Sequence, residues 1–480
     1  MKVAFVSFEV YPLAKVGGLA DVAGSLPKAL ISKGVDVEIF MPYHKVVKKN
    51  IEKFNLRVEK ILDQFDTGLK TDQKASLFKT NLPGTDIPVY LISNDYYFSS
   101  EDVYGSPDGG QQAIFFTKAV IESIKKMNIH FDVIHSNDWQ TGLLPVYLKS
   151  LYRNDPVFSN TSTIYTIHNL GYQGLFDRSY IDFAGLPDYL YNMDGIEFYG
   201  KINFMKGGIL FSNIVNTVSP TYAEEIKTPE YGEKLEGVLQ LRKDVLYGVL
   251  NGIDYAENDP KTDKCIPYNY DLNSLDGKKK DKLYLQKEMG LKESERTPVI
   301  GLVSRLFDQK GLDLVDDIMK YVVASCDVNF ILLGTGEPKY EKAFLDLSKE
   351  FPQKVAVKIG FDVNLAQRIY AGSDFFLMPS RYEPCGLGQM YSLRYGTIPI
   401  VRYTGGLADT VKEFDGKSGN GFGFKNYDSA HLLRSILRAL YYYQVDDYMG
   451  TLIKNAMSMD LSWERSASEY IKLYELSKAR

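Results

Sequence analysis

The sequence predicts an α/β fold made of two lobes, each built on a parallel sheet. Three observations support this prediction. Short apolar runs alternate with amphipathic segments, a polar stretch without apolar periodicity follows residue 253, and the residues GGLAD occur twice, at 17–21 and at 405–409. Alternating strand and helix patterns are typical of parallel sheets with crossover helices. A chain of 480 residues is also too long for one ordinary core.

The apolar runs fall into two groups, which we interpret as the strands of the two lobes. In the first half they are Val3–Ser7, Asp36–Met41, Val89–Ile92, Val133–His135, Thr163–Ile167 and Ile214–Thr217. In the second half they are Val299–Val303, Asn329–Leu333, Val355–Ile359, Phe375–Pro379, Ile398–Val401 and Gly421–Phe424. We therefore expect one domain over residues 1–250 and a second over residues 251–460.

The polar stretch Asp254–Lys280 is interpreted as the linker, because it is rich in Asp, Asn, Pro, Lys and Tyr. Its last three residues, Lys278-Lys279-Lys280, form the densest basic run and are predicted to be a solvated turn before a helix at Asp281. The final segment, residues 461–480, is amphipathic, and we predict a helix that packs back on the first domain.

Each GGLAD copy follows an apolar run and opens an amphipathic segment. A glycine pair at a strand-to-helix turn lets backbone N–H groups approach an anion, and the helix dipole favours negative charge there. Two such turns predict two nucleotide-binding halves that meet over one ligand. The alternative is that both turns only cap helices.

Composition excludes several classes of protein. Hydrophobic content is 45% and charged content 24%, the balance of a globular chain. The net charge of −5 argues against a nucleic-acid surface, and no stretch approaches the ~18 apolar residues of a membrane span. No signal peptide is recognisable. The three cysteines are far apart and odd in number, which is typical of reduced thiols, so we expect a cytoplasmic protein.

The sequence indicates neither a metal site nor a cofactor. The five histidines include one close pair, and its spacing of five does not present two ligands from one helix face. No two aspartates are separated by one residue, which is the arrangement that many metal-dependent sugar transferases use under a diphosphate. A bound diphosphate would therefore be neutralised by side-chain cations and helix N-termini.

Polar side chains that could bind a ligand or take part in catalysis follow several predicted strands. They are Lys15, His168, Asn169, Arg305, Lys310 and Glu383. Ligands of open α/β sheets bind beyond the carboxyl ends of strands. Each residue alone has an ordinary alternative as a solvated cation, a core histidine or a helix cap. Their convergence with two glycine-rich turns predicts a common ligand cleft.

The motifs that carry a family resemblance are KVGGLADV at 15–22, HSNDWQTGLLP at 135–145, YTIHNLGYQG at 165–174, LNGID at 250–254, SRLFDQKG at 304–311 and PSRYEPCGLGQMYSLRYGTIPIVRYTGGLADTV at 379–411. In this order, over nearly the whole chain, they resemble bacterial glycogen synthases and starch synthases. The resemblance implies the GT-B fold, with two facing Rossmann-like domains and an interdomain cleft. It also implies transfer of glucose from ADP-glucose, with retention of configuration, to the non-reducing end of an α-1,4-glucan such as glycogen. The absence of an Asp-x-Asp arrangement predicts that this transfer is metal-independent.

The same resemblance implies roles for individual residues. Lys15 and the turn at Gly17 and Gly18 would meet the diphosphate and sugar. Arg305 and Lys310 would bind the diphosphate, with backbone N–H groups from the turn Cys385-Gly386-Leu387. Glu383 would bind the glucosyl hydroxyls and stabilise positive charge at the anomeric carbon.

Further positions match residues that line the sugar and acceptor. His168 would lie beside the sugar's 6-hydroxyl, and the next residue, Asn169, would also bind the substrate. The other positions that would line the sugar and acceptor are Glu9, Asp21 and Asn251. Phe361 stands where the family usually has the tyrosine on which adenine stacks. Asn258 replaces a common tryptophan in the linker, which puts the packing of the lobes in doubt.

Other functions fit the sequence less well. An NAD-dependent oxidoreductase would need a G-x-G-x-x-G turn after a strand, which is absent here. A sugar-binding protein with an inactive site is disfavoured because the cation and carboxylate positions are filled. A phosphorylase would need a lysine-bound pyridoxal phosphate. A related transferase that uses UDP-glucose or makes a small glucoside such as sucrose is the nearest alternative.

Overall fold

The computed structural model describes residues 1–106, 108–445 and 448–480. The chain divides into two compact units. Unit 1 comprises Met1–Gly252 and Trp463–Arg480, and unit 2 comprises Ile253–Ser462. Each unit alternates strands and helices around a largely parallel sheet, which confirms the predicted fold class.

The strands of unit 1 include every run interpreted as a strand in the first half of the chain. They are β1 (Lys2–Val6), β2 (Asp36–Pro42), β3 (Glu59–Phe65), β4 (Ala75–Asn81), β5 (Pro88–Ser93), β6 (Val133–Asn137), β7 (Ser162–Ile167), β8 (Leu175–Phe176), β9 (Glu197–Phe198), β10 (Lys201–Asn203), β11 (Ile214–Thr217) and β12 (Leu246–Gly248). The large sheet has the order β12-β11-β7-β6-β1-β2-β5-β4-β3. Its first seven strands pair in parallel, so their carboxyl ends meet at one edge.

The two strands at one end of this sheet, β3 and β4, pair antiparallel and were not predicted. Much of β3 is exposed or half-exposed, with the sequence EKILDQF. An edge strand of this kind needs no continuous apolar run, so its sequence resembles a surface loop. The small sheet β8-β10-β9 was missed because its strands have two or three residues each.

The helices of unit 1 cover the faces of the sheet. They are α1 (Gly18–Ser32), α2 (Lys45–Lys53), α3 (Asp95–Phe98), α4 (Gly109–Met127), α5 (Leu143–Lys149), α6 (Ser179–Ala184), α7 (Phe204–Phe211), α8 (Pro220–Glu225) and α9 (Glu236–Leu241). The C-terminal helix, Trp463–Lys478, packs against α1 and buries Trp463, Tyr470 and Tyr474 in the core of unit 1. No helix in the described ranges is long and apolar enough to cross a membrane.

Unit 2 contains a single parallel sheet among its described residues. Its strands are β13 (Val299–Leu306), β14 (Asn329–Gly336), β15 (Val355–Ile359), β16 (Phe375–Met378), β17 (Ile398–Arg402) and β18 (Phe422–Phe424), in the order β15-β14-β13-β16-β17-β18. Its helices are α10 (Asp276–Glu288), α11 (Leu312–Ser325), α12 (Pro338–Glu350), α13 (Val363–Gly372), α14 (Gly388–Arg394), α15 (Gly405–Thr410), α16 (Ser429–Gln444) and α17 (Tyr448–Met457). The C-terminal helix of unit 1, Trp463–Lys478, is α18.

The predicted solvated turn at Lys278-Lys279-Lys280 was wrong. These residues lie within α10, and Lys278 is 7% exposed. The buried face of α10 is formed by residues at helical spacing, among them Lys278, Asp281, Lys282 and Leu285. One lysine of the basic run therefore faces inward.

The polar stretch before α10 belongs to unit 2 and packs into it. Ile266 and Tyr270 are buried against Tyr370 and Tyr395. Asn258, which stands where the family commonly has tryptophan, accepts a hydrogen bond from Gln367 Nε2 at 2.9 Å. Asn258 therefore makes a polar contact with α13.

Candidate active site

The first GGLAD copy follows β1 and forms the start of α1. Gly17 is the N-cap of α1, and a Cβ atom placed on Gly17 or Gly18 would meet no atom within 4 Å. Open space therefore faces the glycine pair at the N-terminus of a fifteen-residue helix. A helix N-terminus with room in front of it is suited to an anionic group.

Glu9 fixes the backbone of this turn through hydrogen bonds. Its Oε2 accepts hydrogen bonds from the backbone N–H groups of Val16 and Gly17, the latter at 2.9 Å. Its Oε1 accepts a hydrogen bond from the Tyr104 hydroxyl. Because Glu9 is only 3% exposed, its carboxylate fixes the backbone of the turn rather than facing solvent.

Lys15 and Asp21 form an ion pair across the same turn, with 2.6 Å between Nζ and Oδ1. The Lys15 ammonium also lies 5.2 Å from the centre of the Tyr11 ring. Burial raises the pKa of Asp21, and the neighbouring Lys15 opposes that shift. The Lys15 side chain stays 43% exposed, so a partly solvated cation is held beside the open glycine pair.

A second element of unit 1 is the loop after β7, which carries His168 and Asn169. Asp138 follows β6 with a positive φ of 57°, and its Oδ1 accepts the His168 backbone N–H at 2.7 Å. His168 Nε2 lies 2.9 Å from Asn137 Oδ1, so Nε2 carries the proton in this amide orientation. No role was predicted for Asn137 or Asp138 from the motif HSNDWQ. Asn137 ends the buried strand β6 and Asp138 follows it, and this position was the available signal.

Burial determines the charge states in this loop. It lowers the pKa of His168 to about 3, so the ring is neutral at physiological pH. It raises the pKa of Asp138 to about 7, while the N–H groups of His168 and Asn169 oppose that shift. His168 can therefore orient a ligand through its neutral ring and backbone, but it does not supply a cation.

Asn251 follows β12 at the same edge of the sheet. It is 6% exposed, and among the described residues its Oδ1 has no hydrogen-bond partner. A buried amide oxygen without a donor is costly, and a ligand hydroxyl would satisfy it.

In unit 2, Lys310 and Glu383 form a close pair after two neighbouring strands. Lys310 Nζ lies 2.7 Å from Glu383 Oε2, and the Ser380 hydroxyl donates to the same oxygen at 3.0 Å. The Glu383 side chain is 8% exposed. Within the described ranges its Oε1 accepts no hydrogen bond, which leaves one oxygen of an oriented carboxylate for a ligand.

Two other candidate residues of unit 2 are exposed. Arg305 lies at the end of β13, with its guanidinium carbon 5.6 Å from the centre of the Phe307 ring. Phe361 follows β15 and Gly360, and 88% of its surface is exposed. An aromatic side chain this exposed is available to stack on a flat group.

The second GGLAD copy does not face open space, so its predicted role as an anion-binding turn was wrong. Gly405 and Gly406 are buried, and the Gly406 N–H donates to Glu383 O at 3.2 Å. A Cβ atom on Gly405 would lie 1.9 Å from Glu383 O, and one on Gly406 would lie 2.0 Å from Cys385 O. This glycine pair supports the backbone that carries Glu383.

The turn after Glu383 leads into α14. Gly386 has a φ of 73°, and Leu387 is the N-cap of α14. Gln389 Nε2 donates to Cys385 O at 3.0 Å and to Gly386 O at 3.1 Å. Cys385 is a buried cysteine whose backbone is fixed by these contacts.

Comparison with known proteins identifies the family. Residues 2–241 match the starch synthase catalytic domain, and residues 286–456 match glycosyl transferases group 1. The glycogen synthase of Fervidobacterium nodosum is 60% identical over all of this chain and 99% of its own length. The chain belongs to the glycogen and starch synthase family. The glycogen synthase of Thermosipho africanus is also 60% identical, with all of both chains covered.

Solved structures agree with this family. The catalytic domain of starch synthase IV from Arabidopsis thaliana, bound to ADP and acarbose, has a TM-score of 0.92 and 33% identity, covering 100% of this chain and 99% of that one. Sucrose-phosphate synthase from Thermosynechococcus elongatus has a TM-score of 0.59 at 17% identity, with 99% of this chain and 98% of that one covered, and shows the fold alone. This chain is therefore a GT-B glycosyltransferase of glycogen synthesis, and the sucrose-forming alternative is not favoured.

Proposed function

We propose that this enzyme transfers glucose from ADP-glucose to the non-reducing end of an α-1,4-glucan, with retention of anomeric configuration and without a metal ion. The observation that carries the proposal is the Lys310–Glu383 pair, at 2.7 Å, in which the carboxylate is buried and lies three residues before Gly386. During transfer the sugar becomes positive and its diphosphate leaving group becomes more negative. A carboxylate can stabilise the first charge and a neighbouring cation the second. The Arabidopsis relative bound to ADP supports the choice of nucleotide.

For the donor, Arg305 and Lys310 would neutralise the diphosphate, together with backbone N–H groups of the turn Cys385-Gly386-Leu387. Phe361 would stack on the base. Lys15 would add a third cation, and Gly17 and Gly18 would let the sugar and diphosphate approach the N-terminus of α1. Cations that are already positioned stabilise the leaving group most as its charge develops.

For the sugar, Glu383 would accept hydrogen bonds from glucosyl hydroxyls through Oε1, while Lys310 and Ser380 hold Oε2. His168 is neutral because burial lowers its pKa to about 3, and its Nε2 is bonded to Asn137, so its contribution would be a hydrogen bond accepted from the 6-hydroxyl by Nδ1, or a backbone contact. Its carbonyl oxygen would lie near the reaction centre. Asp21 would orient Lys15, to which it is bonded at 2.6 Å.

For the acceptor, Asn169 and Asn251 would bind glucan hydroxyls, since Asn251 Oδ1 has no donor among the described residues. Glu9 would act on the same region through the glycine turn that it holds. The three cysteines, which are far apart in the sequence and odd in number, support a cytoplasmic location for this activity.

The test is an assay of the purified enzyme with labelled ADP-glucose or UDP-glucose, with and without glycogen. We expect label in glycogen, with kcat/KM higher for ADP-glucose. An exo-acting α-glucosidase should release the label, since retention leaves an α-linkage at the chain end. Equal values for the two donors, or a preference for UDP-glucose, would refute the proposed donor, and label that only a β-glucosidase releases would refute retention.

A further inference from the structure

Lys278 is a buried lysine that has no carboxylate partner among the described residues. Among the described residues it forms no ion pair within 4.0 Å, and it is 7% exposed. The two nearby acids are engaged elsewhere, since Asp374 pairs with Lys282 at 2.8 Å and Asp281 accepts the Tyr268 backbone N–H at 3.0 Å. A buried ammonium is costly unless hydrogen bonds compensate it.

Four oxygens surround the ammonium and supply that compensation. Lys278 Nζ donates to Ala371 O at 2.9 Å, Ser373 O at 3.1 Å and Tyr395 O at 3.0 Å, and it lies 2.8 Å from Thr397 Oγ1. Ala371 and Ser373 lie at the C-terminal end of α13, and Tyr395 is the C-cap of α14. One side chain therefore caps the C-termini of two helices.

A cation is the favoured partner at this position. The last carbonyls of a helix lack intrahelical donors, and the helix dipole places negative partial charge there. Thr397 extends the same cap, because its hydroxyl lies 2.8 Å from Ser373 O and 2.5 Å from Tyr370 O. The Tyr270 hydroxyl also donates to Tyr395 O at 2.7 Å.

The opposite ends of these helices carry residues proposed above to bind the donor. Phe361 lies two residues before α13, and Gly386 and Leu387 lie directly before α14. The seven-residue α14 is only ~10 Å long, so a shift at its C-terminus moves its N-terminus as well.

We propose that Lys278 is a positioning residue for binding of the nucleotide donor. Its ammonium holds together the C-terminal ends of α13 and α14, and the N-terminal ends of these two helices carry the residues proposed to bind the base and the diphosphate. This inference rests on the proposed donor site. It predicts that Lys278 affects the affinity for the donor and leaves the affinity for the acceptor unchanged. The reason is that α13 and α14 belong to unit 2, whereas the residues proposed to bind the acceptor belong to unit 1.

The experiment compares Lys278→Met with Lys279→Met, which removes an exposed lysine from the next position of α10. Thr397→Val is the second variant, because it removes the hydroxyl and leaves the lysine. Burial lowers the pKa of Lys278 to about 7, so the assays are run near pH ~6, where the ammonium dominates. KM for ADP-glucose, KM for glycogen, kcat and the Kd of ADP are measured for each variant.

We expect Lys278→Met to raise KM for ADP-glucose and Kd for ADP about tenfold, as for the loss of hydrogen bonds to a charged group. KM for glycogen and kcat should change little, and Lys279→Met should match the parent enzyme. Thr397→Val should raise the same two donor constants by a smaller factor.

The proposal fails if folded Lys278→Met keeps the parent KM for ADP-glucose, or if it lowers kcat and raises both KM values together. If Lys278→Met does not fold, Thr397→Val decides, and unchanged donor constants in that variant overturn the proposal. An enzyme that prefers UDP-glucose would refute the proposed donor instead. The same variants would then be measured with UDP-glucose and UDP.

Discussion

The two GGLAD copies place the same five residues in opposite environments. In the copy at 17–21, Gly17 and Gly18 face open space, and the ion pair between Lys15 and Asp21 lies beside them. In the copy at 405–409 both glycines are buried, and a Cβ atom on Gly405 would lie 1.9 Å from Glu383 O. The first copy is open to a ligand, whereas the second receives another segment of backbone.

This difference shows that a glycine pair has two separate physical uses. Without a Cβ atom, a strand-to-helix turn admits either an anionic ligand or a second chain segment at close approach. The residues within the motif do not distinguish these uses. The second role depends on residues 383–385, which fold against the turn from about twenty positions upstream.

The largest expected effect comes from the carboxylate that the second copy supports. We expect Glu383→Ala to lower kcat on the order of 10²- to 10³-fold with little change in donor affinity, because its bond strengthens as charge develops on the sugar. Steady-state kinetics with ADP-glucose and direct binding of ADP separate the two quantities. Near-normal kcat with weaker donor binding would reduce Glu383 to a structural cap of the Gly386 turn.

A matched pair of alanine substitutions tests the comparison itself. In Gly406→Ala the new Cβ would lie 2.0 Å from Cys385 O, so the backbone beside Glu383 must move. Such overpacking costs about 1–3 kcal/mol of unfolding free energy, and a displacement of about 1 Å at a catalytic group can cost 10²-fold in rate.

Gly18→Ala is the control, since its Cβ meets nothing within 4 Å. It should leave the free energy of unfolding nearly unchanged and should raise KM for the donor. Denaturant unfolding and kinetics of both variants measure these effects. Equal losses of stability in the two variants would contradict the division between a ligand turn and a supporting turn.

The sequence predicted the parallel strands because their apolar runs are continuous, and every run interpreted as a strand forms one. It failed where the local pattern was weak, as in the half-exposed β3. It also failed at Lys278, where three adjacent lysines suggested a surface although only one of them is buried. Lys278, Asp281 and Lys282 on the buried face of α10 are all charged, so no apolar periodicity marks that face in the sequence.

Within the candidate site, the sequence located Lys310 and Glu383 at strand ends, but it could not show their contact. That contact joins residues separated by 73 positions and depends on the order of β13 and β16 in the sheet. The support of the glycine turn by Glu9 and Tyr104 is equally long-range, at a separation of 95 residues. Such pairings follow from topology, which local pattern does not encode.

A smaller effect is expected at Phe361, a proposed ligand contact that is exposed like the first GGLAD copy. Base–aromatic stacking is worth about 1–3 kcal/mol, so Phe361→Ala should raise KM for ADP-glucose by roughly tenfold or more. Because the ring is 88% exposed, its removal should leave the free energy of unfolding unchanged. Phe361→Tyr retains the ring and is the control. A loss of stability in Phe361→Ala, with an unchanged KM, would assign the ring to packing.

The smallest expected effect is that of a chelator. If Lys15, Arg305 and Lys310 neutralise the diphosphate together with the N-terminus of α1, the positive charge at the site belongs to the protein itself. Activity should then survive exhaustive treatment with EDTA. A metal-dependent glycosyltransferase with an Asp-x-Asp site, treated in the same buffer, shows that chelation is complete. Loss of activity with rescue by magnesium or manganese would show that these three cations and the open glycine turn do not suffice, and that the first GGLAD copy binds its anion only with a metal ion.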